Sequence, residues 1–164
     1  MGTLLAVAVM KRVGVSKLVS VLYGDMANYV PEYYLKQGTY WHRKLGYFDN
    51  IHLSRYYEYE GEGWLLIGNP DLIEGDTVVE LKVAFSRRRI EHQRRKGETQ
   101  ANIYSWMGAF PNFRCDVYYV RENKLLTGER KERDDELAER SVKEGIKLLK
   151  EYRKLRVRRN GKAV

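Results

Sequence analysis

Cysteine is nearly missing from this 164-residue chain, where Cys115 stands alone. One thiol excludes an internal disulfide framework, and a reducing, cytoplasmic compartment is the simpler expectation. Long apolar runs are missing too. The apolar start, Leu4-Leu5-Ala6-Val7-Ala8-Val9, is too short to span a bilayer and lacks the basic residues that precede a secretory signal's core. It reads as a strand or a packed terminal segment, and no membrane partner is expected. A Gly-rich phosphate loop and a helicase motor are also absent, so any unwinding partner would be a separate chain. Proline occurs three times, at 31, 70 and 111. No repeat, low-complexity linker or compositional break divides the chain, so one domain over 1–164 is expected, long enough to bury a core.

What is present is positive charge. Thirty Lys and Arg stand against 22 Asp and Glu, a formal +8 that favours a polyanionic partner. Net charge alone does not separate DNA, RNA and anionic lipid.

The pattern of elements is α/β. Ser16 can cap a short helix over Lys17 to Tyr23 that Gly24 ends, and a second helix runs from about Pro31 to Leu45. Glu62 to Gly68 and Thr77 to Phe85 are β-branched and apolar enough for two strands, with a turn at Glu74-Gly75-Asp76. A helix ending near Met107 is stopped by Gly108 and Pro111. Phe113 to Val120 alternates as a strand. A last amphipathic helix spans about Asp134 to Leu155, with Leu137, Val142, Ile146, Leu149 and Tyr152 on one stripe.

The most informative stretch is Gly68-Asn69-Pro70-Asp71 followed by Glu80-Leu81-Lys82. On a strand Glu80 and Lys82 share a face while Leu81 takes the other. A buried strand has no use for an acid and an ammonium unless they pair or bind something. A hairpin between the two strands would return Asp71 to Glu80, giving two carboxylates and a lysine around one point. That set suits a divalent cation working on phosphate. Each residue also has a plainer reading: Asp71 as a turn former, Glu80 and Lys82 as a cross-strand ion pair. His42, taken alone, reads as a partly buried packing histidine among Tyr40, Trp41 and Tyr47, and His52 and His92 as surface or packing residues.

Pro70-Asp71 with Glu80-Leu81-Lys82 resembles the signature of the PD-(D/E)XK nuclease superfamily. Two further elements fall in the order of its RecB-type branch: Gly38-Thr39-Tyr40-Trp41-His42 resembles a helical Gly-x-x-x-His, and Gln100-Ala101-Asn102-Ile103-Tyr104 reproduces Gln-x-x-x-Tyr. The stretch Val15-Ser16-Lys17-Leu18, Leu22-Tyr23 and Tyr33-Tyr34-Leu35 is similar to the amino-terminal region of CRISPR-associated exonucleases. Together these cover roughly residues 15 to 120. The resemblance implies a restriction-endonuclease-like core, a mixed central β-sheet flanked by α-helices. It implies a metal held by His42, Asp71, Glu80 and the Leu81 carbonyl, and catalysis by Asp71, Glu80, Lys82, Gln100 and Tyr104. In it Gln100 orders the site, and Tyr104 contacts DNA backbone or supports the metal shell. Carboxylates suit Mg²⁺ or Mn²⁺, and an imidazole favours Mn²⁺. The CRISPR-associated relatives carry four cysteines around an iron–sulfur cluster; here Gly24 follows Tyr23 and Cys115 is alone, so no such cluster is expected.

Between the second strand and the next helix, Arg87, Arg88, Arg89, Arg94, Arg95 and Lys96 gather around one acid, Glu91. A solvated loop and first turn is the plain reading; beside a phosphodiesterase centre, DNA phosphate binding is favoured. A basic tail follows at about 153–164, with Arg153, Lys154, Arg156, Arg158, Arg159 and Lys162. The leading expectation is a metal-dependent DNA exonuclease or end-processing nuclease of recombination, repair or a mobile element. A structure-selective endonuclease of the Holliday-junction-resolvase kind, acting as a homo-oligomer, is the alternative. A catalytically idle nucleic-acid-binding module is the third reading.

Overall fold

The computed structural model describes residues 10–25 and 31–161. The apolar stretch Leu4–Val9 and Lys162 lie outside them. The elements are β1 (Lys11–Gly14), α1 (Val15–Leu22), α2 (Glu32–Lys44), β2 (Leu53–Tyr59), β3 (Glu62–Gly68), β4 (Leu72–Glu74), β5 (Thr77–Ala84), α3 (Arg87–Gly108), β6 (Asn112–Tyr119), β7 (Lys124–Leu126), β8 (Lys131–Glu132) and α4 (Asp135–Gly161). The class is α/β, with mixed sheets flanked by helices.

Two sheets carry the strands. In the first, β3 lies between β1, parallel to it, and β2, antiparallel to it. Glu60 and Gly61, both at positive φ (48° and 78°), close the β2–β3 hairpin in the mirror-image turn that matches strand twist. In the second, β4 pairs antiparallel with β5, β5 parallel with β6, and β6 antiparallel with β7 and β8. The parallel step from β5 to β6 is spanned by α3, as a parallel pair requires a crossover.

The expected hairpin exists with a different partner. The turn at Gly75 joins β5 to β4, three residues long, and not to the strand of Trp64. Pro70, which has no N–H for a ladder, ends β3, and the chain passes there from one sheet to the other.

The main core lies where both sheets meet α1, α3 and α4, around the fully buried Trp64, Leu66, Val78, Ile103, Ile146 and Leu149. On the opposite face of β5, Val79 and Leu81 pack with Tyr47 and Tyr118, under Trp41 and Leu45 at the end of α2. Alternation along β5 therefore sends Glu80 and Lys82 toward α3.

Three helix details differ from expectation. Gly14, not Ser16, is the N-cap of α1, and glycine brings no side chain to cap it. On α4, Leu137 is 42% exposed and Ala138 takes its place in the stripe, because Ala138, Val142 and Ile146 repeat at the helical step of four. That helix, capped by Asp134 Oδ1 on the Leu137 amide (2.9 Å), continues to Gly161, so Arg153 to Arg159 are exposed helical residues. No helix among the described residues is long and apolar enough to cross a membrane.

Candidate active site

Because β4 is so short, its ladder with β5 stops at the Leu72–Val79 pair, and side chains take over. The Leu81 amide donates to Asp71 Oδ2 (2.9 Å), and the Asp71 amide donates to Glu80 Oε1 (3.1 Å). Two carboxylates thus meet at the open end of the hairpin. Glu80 is 1% exposed. Burial, and next the Asp71 charge, push its carboxyl well above the usual range.

His42 reaches this pair from α2. Its Nδ1 donates to Gly38 O (2.7 Å) and its Nε2 lies 3.2 Å from Asp71 Oδ2. Both ring nitrogens face acceptors, which favours the doubly protonated ring. Burial works against that charge, but the Asp71 carboxylate prevails and the His42 pKa is raised. His42 and Glu80 thus both converge on Asp71, whose Oδ2 is shared between His42 Nε2 and the Leu81 amide; among the described residues no three His, Cys, Asp or Glu side chains form a ready-made metal cluster.

Lys82, Gln100 and Tyr104 form a second line. Lys82 Nζ donates to Gln100 Oε1 (2.7 Å), and Gln100 Nε2 donates to Tyr104 Oη (3.1 Å). Gln100 and Tyr104 are buried one turn apart on α3, so this polar stripe is not the wet side of the helix. Burial and the Glu80 charge raise the Tyr104 pKa, so the side chain stays a phenol. A β-carbon at Gly68 would stand 2.3 Å from Tyr104 Cε1, so only glycine lets the end of β3 pass the ring.

Two hollows flank the carboxylates. One, of about 560 Å³, is lined by Ser16, His52, Asn69, Gln100 and Tyr104. The other, of about 490 Å³, opens on the His42 side. What the pair can do chemically follows from its donors. Two hard oxygen ligands and a fixed ammonium fit a divalent cation and a phosphate oxygen.

The basic cluster is not a loop: Arg87 to Lys96 are helical from the first residue of α3, and the helical repeat scatters them. Arg94 donates inward to Cys115 O (2.8 Å) and Leu126 O (3.2 Å). Lys96 donates to Asp25 Oδ2 (2.7 Å), with His92 at 3.3 Å and Arg89 at 3.8 Å from the same carboxylate. Arg87 pairs with Glu122 and Arg95 with Glu91, both at the surface, and Arg88 is exposed. Sequence reasoning missed Asp25, since a lone acid 71 residues from Lys96 carries no local signal. It also set aside His92, which joins this clasp.

The fold and its centre define an α/β protein with a carboxylate–lysine cluster at a hairpin end. No protein-family model and no curated protein sequence matches the chain. Among solved structures, it is similar to SSO0001 at 19% identity and a TM-score of 0.61, over 88% of this chain and 80% of that one. It also matches LHK-Exo, an alkaline exonuclease from Laribacter hongkongensis, at 16% identity and a TM-score of 0.48, over 93% of this chain and 95% of that one. The same protein in complex with dAMP matches at 15% identity and 0.48, over 92% and 94%. The likeness to SSO0001 is one of fold.

Proposed function

We propose that this chain is a divalent-metal-dependent deoxyribonuclease that hydrolyses phosphodiester bonds, acting as an exonuclease or end-processing nuclease in recombination, repair or a mobile element. The observation that carries the proposal is the convergence of Asp71, Glu80 and Lys82 at one hairpin end, with Gln100 holding the lysine. The choice of DNA rests on the sequence resemblance.

Asp71 and Glu80 would hold Mg²⁺ or Mn²⁺, with the Leu81 carbonyl beside them, and a cation there would offset the burial and the Asp71 charge that raise the Glu80 pKa. When bound, the ion supplies a water of lowered pKa and neutralises charge on the attacked phosphate. Lys82 presents a compact positive charge to the water or to a phosphate oxygen. Gln100 restrains that ammonium, and Tyr104 restrains Gln100. His42 fixes the orientation of Asp71 and can exchange its Nε2 proton for a metal bond.

End-labelled linear and covalently closed DNA, single- and double-stranded, incubated with Mg²⁺, Mn²⁺ or EDTA, tests this. Linear DNA should be degraded and closed circles spared, EDTA should stop the reaction, and Glu80→Gln should lower the rate by about a hundredfold or more. Cutting of closed circles would favour an endonuclease. No cutting of any substrate with either metal would overturn the hydrolase reading.

A further inference from the structure

Helix α2 buries none of its residues, and its surroundings are aromatic. Tyr34 is 43% exposed and Phe48 65% exposed, and both line the 490 Å³ hollow that His42 and Asp71 also line. Large exposed apolar side chains gathered in a concave place mark a binding surface. Tyr34 rests edge-on against Phe85, centroids 4.7 Å apart. Phe48 precedes Asp49, whose amide donates to Asp71 O (2.8 Å) and whose Oδ2 accepts from the Ile73 amide (2.7 Å). The ring is thus one residue away from a direct main-chain bond to Asp71. Gly38 lines the same hollow, and a β-carbon there would meet nothing within 4 Å. Arg43 supplies positive charge at the rim.

We infer that this hollow is a nucleobase subsite, in which Tyr34 and Phe48 stack on an unpaired base of the strand whose phosphate lies at Asp71 and Glu80. The inference rests on the nuclease reading for the place of the phosphate. A flat π-face beside a cation is what an unpaired nucleotide requires, and every base offers one, so the subsite reads base presence and not sequence. A paired base is not available to it, so the strand must be single or frayed where it enters.

The test uses the whole chain in EDTA with single-stranded oligonucleotides carrying one 2-aminopurine, or one abasic residue, at each position in turn. Wild type should quench 2-aminopurine at one register, and an abasic residue at that register should weaken binding about tenfold. Phe48→Ala should lose the quenching and bind intact and abasic strands alike, with its melting temperature unchanged because the ring is exposed. Phe48→Tyr should restore both. Equal binding of intact and abasic strands by wild type, or discrimination kept by Phe48→Ala, would overturn the subsite. Base-dependent binding without any DNA cleavage would retain the subsite and reject the hydrolase. Cleavage without base dependence would do the reverse.

Discussion

At the scale of single residues, space is as decisive as charge. Gly68 gives Tyr104 its place, so Gly68→Ala must displace either the ring or the end of β3. Overpacking of this kind costs ~1–3 kcal/mol. In a Tyr104→Ala background the same change should cost much less, and urea denaturation of the four proteins measures that coupling. Charge acts at His42. Its pKa is raised above the ordinary 6.5 by Asp71 despite burial. The pair's contribution is therefore fully present below about pH 6.5 and is lost as the pH rises through the raised value. Without metal, His42→Ala should lose more stability at pH 5.5 than at pH 9, as read from thermal midpoints in EDTA. On the proposed function, Lys82→Met should abolish turnover, while Mn²⁺ binding by calorimetry should persist on Asp71 and Glu80.

At the scale of elements, the clasp of Asp25 to α3 joins the end of α1 to the helix that carries Gln100 and Tyr104. Burial opposes the Asp25 charge, but Lys96 and His92 hold its pKa below the ordinary 3.8. Its stabilisation is thus present above that value and vanishes as the pH falls through the lower folded one. Asp25→Asn should cost up to about 1 kcal/mol near neutrality and progressively less as the pH falls below 3.8, measured by denaturant midpoints. What the sequence reveals of the elements depends on their length. Strand β5, helix α2 and strand β6 are long and apolar or well punctuated, and they lie close to where pattern places them. The site pair is legible because a hairpin must return Asp71 toward Glu80. The partner strand is not, since Leu72–Glu74, at three residues, is too short to show an alternation. The first turns of α3 are hidden for another reason. Six cations with Ile90 as their one aliphatic residue show no helical face, and tertiary contacts of Arg94 and Lys96 fix them instead.

At the scale of the whole molecule, the proposed function requires the +8 charge to act through the cations free to meet phosphate. Arg94 serves two main-chain carbonyls, so Arg94→Ala should leave the salt dependence of DNA binding alone and cost ~1–3 kcal/mol of stability. Replacing Arg88 and Arg95 by Ala should flatten the log–log salt slope on single strands by up to about 1.4, at ~0.7 per contact. Affinity against salt, in the Glu80→Gln background to prevent digestion, distinguishes the two. Truncation after Tyr152 removes exposed cations from the end of α4 and tests whether that helix is part of the DNA path.

The β4–β5 hairpin also sets an order in time. Asp71 and Glu80 are nine residues apart, whereas β1 must find Trp64 from Lys11, across 53. Closing the shorter loop costs roughly 1.5 kcal/mol less chain entropy. During refolding, the Asp71 and Leu81 amides should therefore gain protection from hydrogen exchange before those of Lys11 to Gly14. The two carboxylates would then be neighbours before the first sheet is complete, and their mutual repulsion would be felt during folding as well as in the finished site.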